Sequence, residues 1–233
     1  MRANTTTSAI TGDYRHALEA RAHPLKSLDT LAMIRPCHRS QEICSQDGPA
    51  EYVYYVVFGA ARRCVLRADG RRQIVDLLLP GNFFGFTGGD AYDSSVEAVS
   101  EGTLVARYPR RRVEALADAD PELARELRQV ALDALSRSRA QLLILGRVTA
   151  VEKVGSFILE MAARLSDGNT DRVVLPLSRY DIADYLAVSV ETVSRSLTDL
   201  RNRGVISLSG TRTIRIVDRD ALEEGERAGT RLH

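Results

Sequence analysis

The chain has 233 residues, 44% of them hydrophobic, and its 32 basic and 31 acidic side chains nearly cancel to a formal charge of +1. Those figures are ordinary for one large or two small globular domains. No apolar run approaches the length of a membrane span, which excludes a helical integral membrane protein.

Residues 1–24 read as a flexible N-terminal arm. Its first part is rich in Thr, Ala and Ser and lacks the continuous apolar core of a secretory signal, so a cytoplasmic location is expected. Over 25–120 the texture is β. The run YVYYVVFGAARRCVLRADGRRQIVDLLLPGNFFG holds short Val, Tyr, Ile and Leu stretches cut by Gly59, Asp69-Gly70 and Pro80-Gly81. Strands of that length and spacing suit a small barrel or roll.

At Pro121 the texture changes. PELARELRQVALDALSRSRAQLLILGRV opens with proline at a helix start and meets no further Pro or Gly before Gly146, so one long helix is expected over 121–148. Leu127, Ala131, Leu135, Ser138, Leu142 and Leu145 recur at steps of four and three, a coiled-coil-like seam that is assigned to a homodimer interface. The alternative is a stripe packed on the β domain.

Thr149 and Ala150 mark a hinge, after which 151–165 reads as an amphipathic helix opening a domain over 149–218. Within it, Ser178 is placed to accept from a first-turn amide and Asp181 completes an acidic capping box, so a helix should begin at Arg179. Ile182, Ala183 and Leu186 share its apolar face. Ser189, eleven residues after Ser178, caps a second helix with Val193, Leu197 and Leu200 as the buried stripe. Two capped starts so close together make a helix-turn-helix, which reads double-stranded DNA.

The second helix turns Val190, Glu191, Ser194, Arg195 and Thr198 away from its stripe. A guanidinium suits the guanine O6/N7 pair and a carboxylate suits the cytosine N4 donor, so Arg195 and Glu191 are base-reading candidates, with Ser194 and Val190 beside them. Glu191 and Arg195 stand at i, i+4, where the carboxylate could also hold the guanidinium. Ser178, Arg179, Ser189, Thr192, Arg201 and Arg212 are candidates for the DNA backbone. Gly204 stops the helix, and 205–208 and 213–217 read as a hairpin wing turned by Ser209-Gly210-Thr211. Between Arg195 and Arg215 five arginines face one acid, Asp199, so positive charge is concentrated where phosphates would lie. A single helix-turn-helix reads only a few base pairs, which favours two-fold pairing through the long helix and a palindromic site. Residues 219–233 read as a C-terminal tail.

The α+β order of roll, long helix and winged helix-turn-helix resembles the CRP/FNR superfamily of bacterial transcription regulators over about residues 25–218. YYVVFGAARRCVL with PGNFFG, and VSVETVSRSLTDLRNRGVI, carry the resemblance. The form V-E-x-x-S-R at Val190 to Arg195 looks like the FNR and FixK branches, whose members recognise TTGA-type inverted repeats. The resemblance implies an activator that contacts RNA polymerase, with Glu191, Ser194 and Arg195 reading bases. Cyclic-nucleotide binders of the superfamily hold ribose with Gly-Glu and phosphate with Arg-Ser or Arg-Thr. The matching places here are Gly85-Phe86 and Asp93-Ser94, and an aspartate repels a phosphate.

Cys37, Cys44 and Cys64 lack C-x2-C spacing for an iron–sulfur centre. His38 beside Cys37 suggests a metal or haem ligand, but isolated Cys-His neighbours are usually incidental. No cofactor and no metal are therefore expected, and control falls to synthesis, turnover or oxidation of the protein. The competing reading is a ligand- or haem-gated allosteric sensor. Four scattered histidines, with no nucleophile–base pair, phosphate loop or metal-ligand spacing, give no support for an enzyme.

Overall fold

The computed structural model describes residues 25–67, 70, 72–165 and 171–228, so the expected arm over 1–24 and the end of the expected tail lie outside the described residues. A 3-10 helix (Lys26–Leu31) leads into β1 (Met33–Cys37), β2 (Glu42–Cys44), β3 (Tyr52–Phe58), β4 (Ala61–Leu66), β5 (Arg72–Leu78), β6 (Phe83–Phe84), β7 (Ser95–Ala98) and β8 (Thr103–Pro109). They form two four-stranded sheets, ordered β1-β8-β3-β6 and β2-β7-β4-β5, which make the expected roll.

The unbroken apolar run of β3 has a direct cause. Tyr54 and Val56 pack with Cys44, Phe84 and Val96 between the sheets, while Val53, Tyr55 and Val57 pack with Leu28, Val113 and Leu123 in a helical layer outside them. A strand covered on both faces does not alternate. Part of that outer layer is a helix that the sequence reading lacked: α1 (Arg110–Ala119) follows β8 directly, with no side-chain cap at Pro109 and with Val113 as its buried residue.

Helix α2 (Pro121–Leu145) is the long helix expected from Pro121. Leu123 is buried and Leu127 and Val130 pack against the same core as Val113, so the N-terminal half of α2 lies on its own β-roll along that row. Ala131, Leu135, Ser138 and Leu142 are exposed and Leu145 half-buried. The expected seam is thus divided. Leu127 faces inward, and the outward row starts at Ala131 and gains Leu132 and Leu143, which are 50% and 70% exposed.

The described chain forms two compact units. One takes residues 25–65 with Leu77–Leu135; the other joins Leu66–Asp76 to the chain from Ser136 onward. The second unit therefore begins before the boundary expected at residue 149. Its helix α3 (Ala150–Leu165) starts one residue before the expected helix, behind a reciprocal cap in which the Thr149 amide donates to Glu152 Oε2 (3.0 Å) and the Glu152 amide to Thr149 Oγ1 (3.2 Å). β9 (Arg172–Val174), α4 (Arg179–Leu186), α5 (Val190–Asn202), β10 (Ile206–Ser209), β11 (Thr213–Ile216) and α6 (Arg219–Ala228) follow. The wing is a three-stranded sheet, β10-β11-β9, rather than a two-stranded hairpin.

The tail expected after residue 218 begins as helix α6. Its Leu222 is buried against α3, where Gly155 admits it: a Cβ at Gly155 would stand 3.2 Å from Leu222 Cδ2. Phe157 and Tyr185 meet at 5.5 Å between ring centroids in the core of this unit.

Candidate nucleic-acid interface

Both caps of the helix pair are formed. Ser178 Oγ accepts from the Asp181 amide (3.2 Å), and Asp181 Oδ2 accepts from the Ser178 amide (2.9 Å) and hydroxyl (2.7 Å). Ser189 Oγ accepts from the Thr192 amide at 3.1 Å. Between the helices Ala187 takes the left-handed conformation, φ 53° and ψ 46°, which for a residue with a Cβ costs about 1–2 kcal/mol. The Ala187 and Val188 amides both donate to Ala183 O, so the turn is closed on the end of α4.

On α5, Val193, Leu197 and Leu200 are buried as the spacing predicts, together with Ser196. Glu191, Ser194, Arg195 and Thr198 are exposed; Val190 and Thr192 are half-buried. The Glu191 carboxyl is held below the usual glutamate range first by its own backbone amide and next by the Ser189 hydroxyl, with Arg195 adding a smaller attraction. Glu191 is therefore charged at neutral pH and acceptor-only, its charge favoured more by the helix start than by Arg195. Ser194 Oγ donates to Val190 O (3.0 Å) and Thr198 Oγ1 to Ser194 O (2.9 Å), so the Ser194 oxygen is free to accept from a base and the hydroxyl must rotate only to donate to one.

Of the backbone candidates, Ser189, Arg201 and Arg212 are exposed, whereas Ser178, Arg179 and Thr192 are half-buried. Burial lowers the Arg179 pKa from its usual value. Arg203 lies 3.6 Å from Asp199 in an exposed pair, and Arg215 is exposed on β11. Tyr180, 69% exposed at the start of α4, was missed. The helical wheel that puts Ile182, Ala183 and Leu186 inside leaves Tyr180 outside, and its hydroxyl is a donor on the helix that crosses the DNA backbone in such motifs.

In the roll, the four residues at the cyclic-nucleotide positions do come together. Gly85, Phe86, Asp93 and Ser94, with Cys44, Arg63, Tyr92 and Val96, line a cavity of about 10 Å³. That holds about one water, against the ~300 Å³ or more of a ligand pocket. Ser94 Oγ donates to Asp93 Oδ1 (2.7 Å), and the Tyr92 hydroxyl donates to Tyr52 O (2.8 Å). Arg63 Nε is buried beside the cavity without a partner. A cavity of that size with the Asp93 carboxylate on its lining does not fit a cyclic nucleotide. A larger cleft, about 570 Å³, opens beside Pro49, Glu51, Tyr52, Asp90, Arg110 and Glu114. Arg110 there is already satisfied by Glu114 Oε1, Gly89 O and Thr87 O.

All three cysteines are free and buried. Burial pushes the Cys44 thiol up to about 12 and raises that of Cys37. Cys37 is buried while His38 is exposed and bonded through Nδ1 to Glu101 Oε1 (2.7 Å), so the two neighbours share no site. Among the described residues no three His, Cys, Asp or Glu side chains gather as a metal site, and no helix is long and apolar enough to cross a membrane.

Comparison with known proteins bears on both units. Residues 152–224 match the Crp-like helix-turn-helix domain and residues 34–120 the cyclic nucleotide-binding domain. The chain is 44% identical over 209 residues to the nitrogen fixation regulation protein FixK of Azorhizobium caulinodans, covering 88% of this chain and 84% of that one. It is 39% identical to FixK of Rhizobium meliloti, covering 85% and 88%. The solved structure of FixK2 from Bradyrhizobium japonicum superposes with a TM-score of 0.77 at 40% identity, over 83% of this chain and 96% of that one.

Proposed function

The chain belongs to the FixK-like branch of the CRP/FNR family of transcription regulators, and on that premise we propose a homodimeric activator that reads TTGA-type inverted repeats without a cyclic-nucleotide effector. The observation that carries this reading is an exposed polar face on α5, above an apolar stripe that seats the helix, in a chain whose nucleotide position holds a cavity of about 10 Å³. Arg195 reads guanine through O6 and N7, Glu191 accepts from cytosine N4, Ser194 adds a rotating hydroxyl, and Val190 meets a thymine methyl. Ser178, Arg179, Ser189, Thr192, Arg201 and Arg212 hold phosphates, joined by Tyr180.

The outward row of α2, from Ala131 through Leu132, Leu135, Ser138, Leu142 and Leu143 to Leu145, pairs with the same row of a second copy. Leucines that are 45% to 70% exposed along one helix face are the surface such pairing removes from water. The dimer acts in the cytoplasm by recruiting RNA polymerase, and its role is binding rather than catalysis. A gate at the nucleotide position is disfavoured by the small cavity there.

The test is selection of bound duplexes from a random pool with no effector added. Recovery of a two-fold repeat with TTGA half-sites about one helical turn apart is expected. Equal binding to scrambled duplexes at moderate salt would defeat the reading, and a coloured protein or heat of binding with a cyclic nucleotide would favour the gated alternative.

A further inference from the structure

The first helix of the reading pair is held by residues far from it in sequence. Helix α4 is only eight residues long, and carbonyls at a helix end have no partners within the helix. Two of them, Asp184 O and Tyr185 O, accept from glutamine side chains distant in sequence: Gln73 Nε2 on β5 donates to Asp184 O (2.5 Å), and Gln141 Nε2 on α2 donates to Tyr185 O (3.4 Å). The Gln141 amide also donates to Ile74 O (2.9 Å), so one buried side chain ties α2, β5 and α4 together. Beside it, Arg72 forks through Nε (3.2 Å) and Nη2 (2.7 Å) onto Asp184 Oδ2, and its Nη2 lies 3.8 Å from Oδ1 of Asp181, the capping carboxylate of α4. Arg137 on α2 lies 3.5 Å from the buried Asp76. All of these residues belong to the second compact unit.

We propose that Arg72, Gln73 and Gln141 are positioning residues that clasp α4 and so set the angle at which the reading pair stands on α2, and with it the half-site spacing the dimer accepts. None of the three lies on the exposed face of α5. They act through α4, which passes into α5 by the closed turn at Ala187 and packs against it, so fixing α4 fixes the helix that carries the reading face. Side-chain amides on carbonyl groups and a forked guanidinium on a carboxylate are directional contacts, so they define an orientation as well as adding attraction. The inference rests on the inverted-repeat reading.

The experiment measures binding of the full-length protein to a single half-site and to inverted repeats with the selected spacing or with two base pairs added or removed. Wild type, R72A and R72A/Q73A are compared, with thermal melting to verify folding. The wild type should discriminate sharply between spacings. The double variant should lose about tenfold on the selected spacing and show a flattened spacing profile, with half-site affinity retained, and R72A should fall between the two. A variant profile identical to that of wild type, or equal losses on half-site and full site, overturns the clasp. Since R72A removes only a partly exposed side chain, it decides the matter if the double variant does not fold. A wild type indifferent to the repeat overturns the inverted-repeat reading first, and the clasp with it.

Discussion

Tyr54 and Phe84 stack with ring centroids 4.9 Å apart and planes inclined by only 10° between the two sheets of the roll, and Tyr92 adds a third ring 6.4 Å from Tyr54. The aromatic cluster occupies the interior beside Gly85, Asp93 and Ser94. Phe84→Ala should therefore cost about 3–5 kcal/mol in denaturant unfolding. It should confer no affinity for cyclic nucleotides in calorimetry, because Asp93 still opposes a phosphate.

Arg195→Ala should cost about 1–3 kcal/mol on the selected site and relax preference at one guanine, read by repeating the duplex selection with the variant. Arg212→Ala should instead weaken all duplexes alike and reduce the salt slope by about one.

Leu127 and Leu142 separate two roles that look identical in the sequence. Leu127→Ala should lower unfolding stability by about 2 kcal/mol or more, since the side chain packs on the core with Val113 and Leu123. Leu142→Glu should leave helix content intact while shifting sedimentation from dimer to monomer and abolishing binding to the inverted repeat at nanomolar protein.

Glu191 should titrate below the usual glutamate range in a carboxyl-resolved NMR experiment. A carboxyl whose folded pKa is depressed contributes stability that is full above its unfolded value, near 4.3, and lost as pH falls through the lower folded value. Base reading by Glu191 should thus be unchanged from neutral pH down to about 5. A midpoint at or above the ordinary value would falsify the backbone and Ser189 contacts.

Cys44, whose thiol is pushed up to about 12, should be unreactive toward thiol reagents at neutral pH in the native protein and react on denaturation. Fast native labelling of Cys44 would restore oxidation as a control at this position, which its burial argues against.

What could be read from the chain was local. Ser178 with Asp181, and Ser189 with Thr192, bond across three residues, so their spacing alone announces two helix starts, and the stripe Val193, Leu197 and Leu200 follows from helical period. The Gly85-Phe86 and Asp93-Ser94 positions were also placed correctly around one cavity. What escaped depends on neighbours. Three-residue β9 has no pattern of its own, and α1 opens on three arginines without a cap. The direction of the Glu191 carboxylate is a rotamer choice. Leu127 and Leu142 differ only in what lies opposite them, and the bond from Gln73 to Asp184 spans 111 residues.

The outward leucine row of α2 has a consequence for dosage. Where monomers predominate, mass action makes the concentration of a two-fold assembly rise with the square of the concentration of single chains. If that row pairs two copies as proposed, a doubling of synthesis would give about a fourfold rise in occupancy of an unsaturated promoter. On that reading the leucines of that face would make the quantity of the protein its own signal.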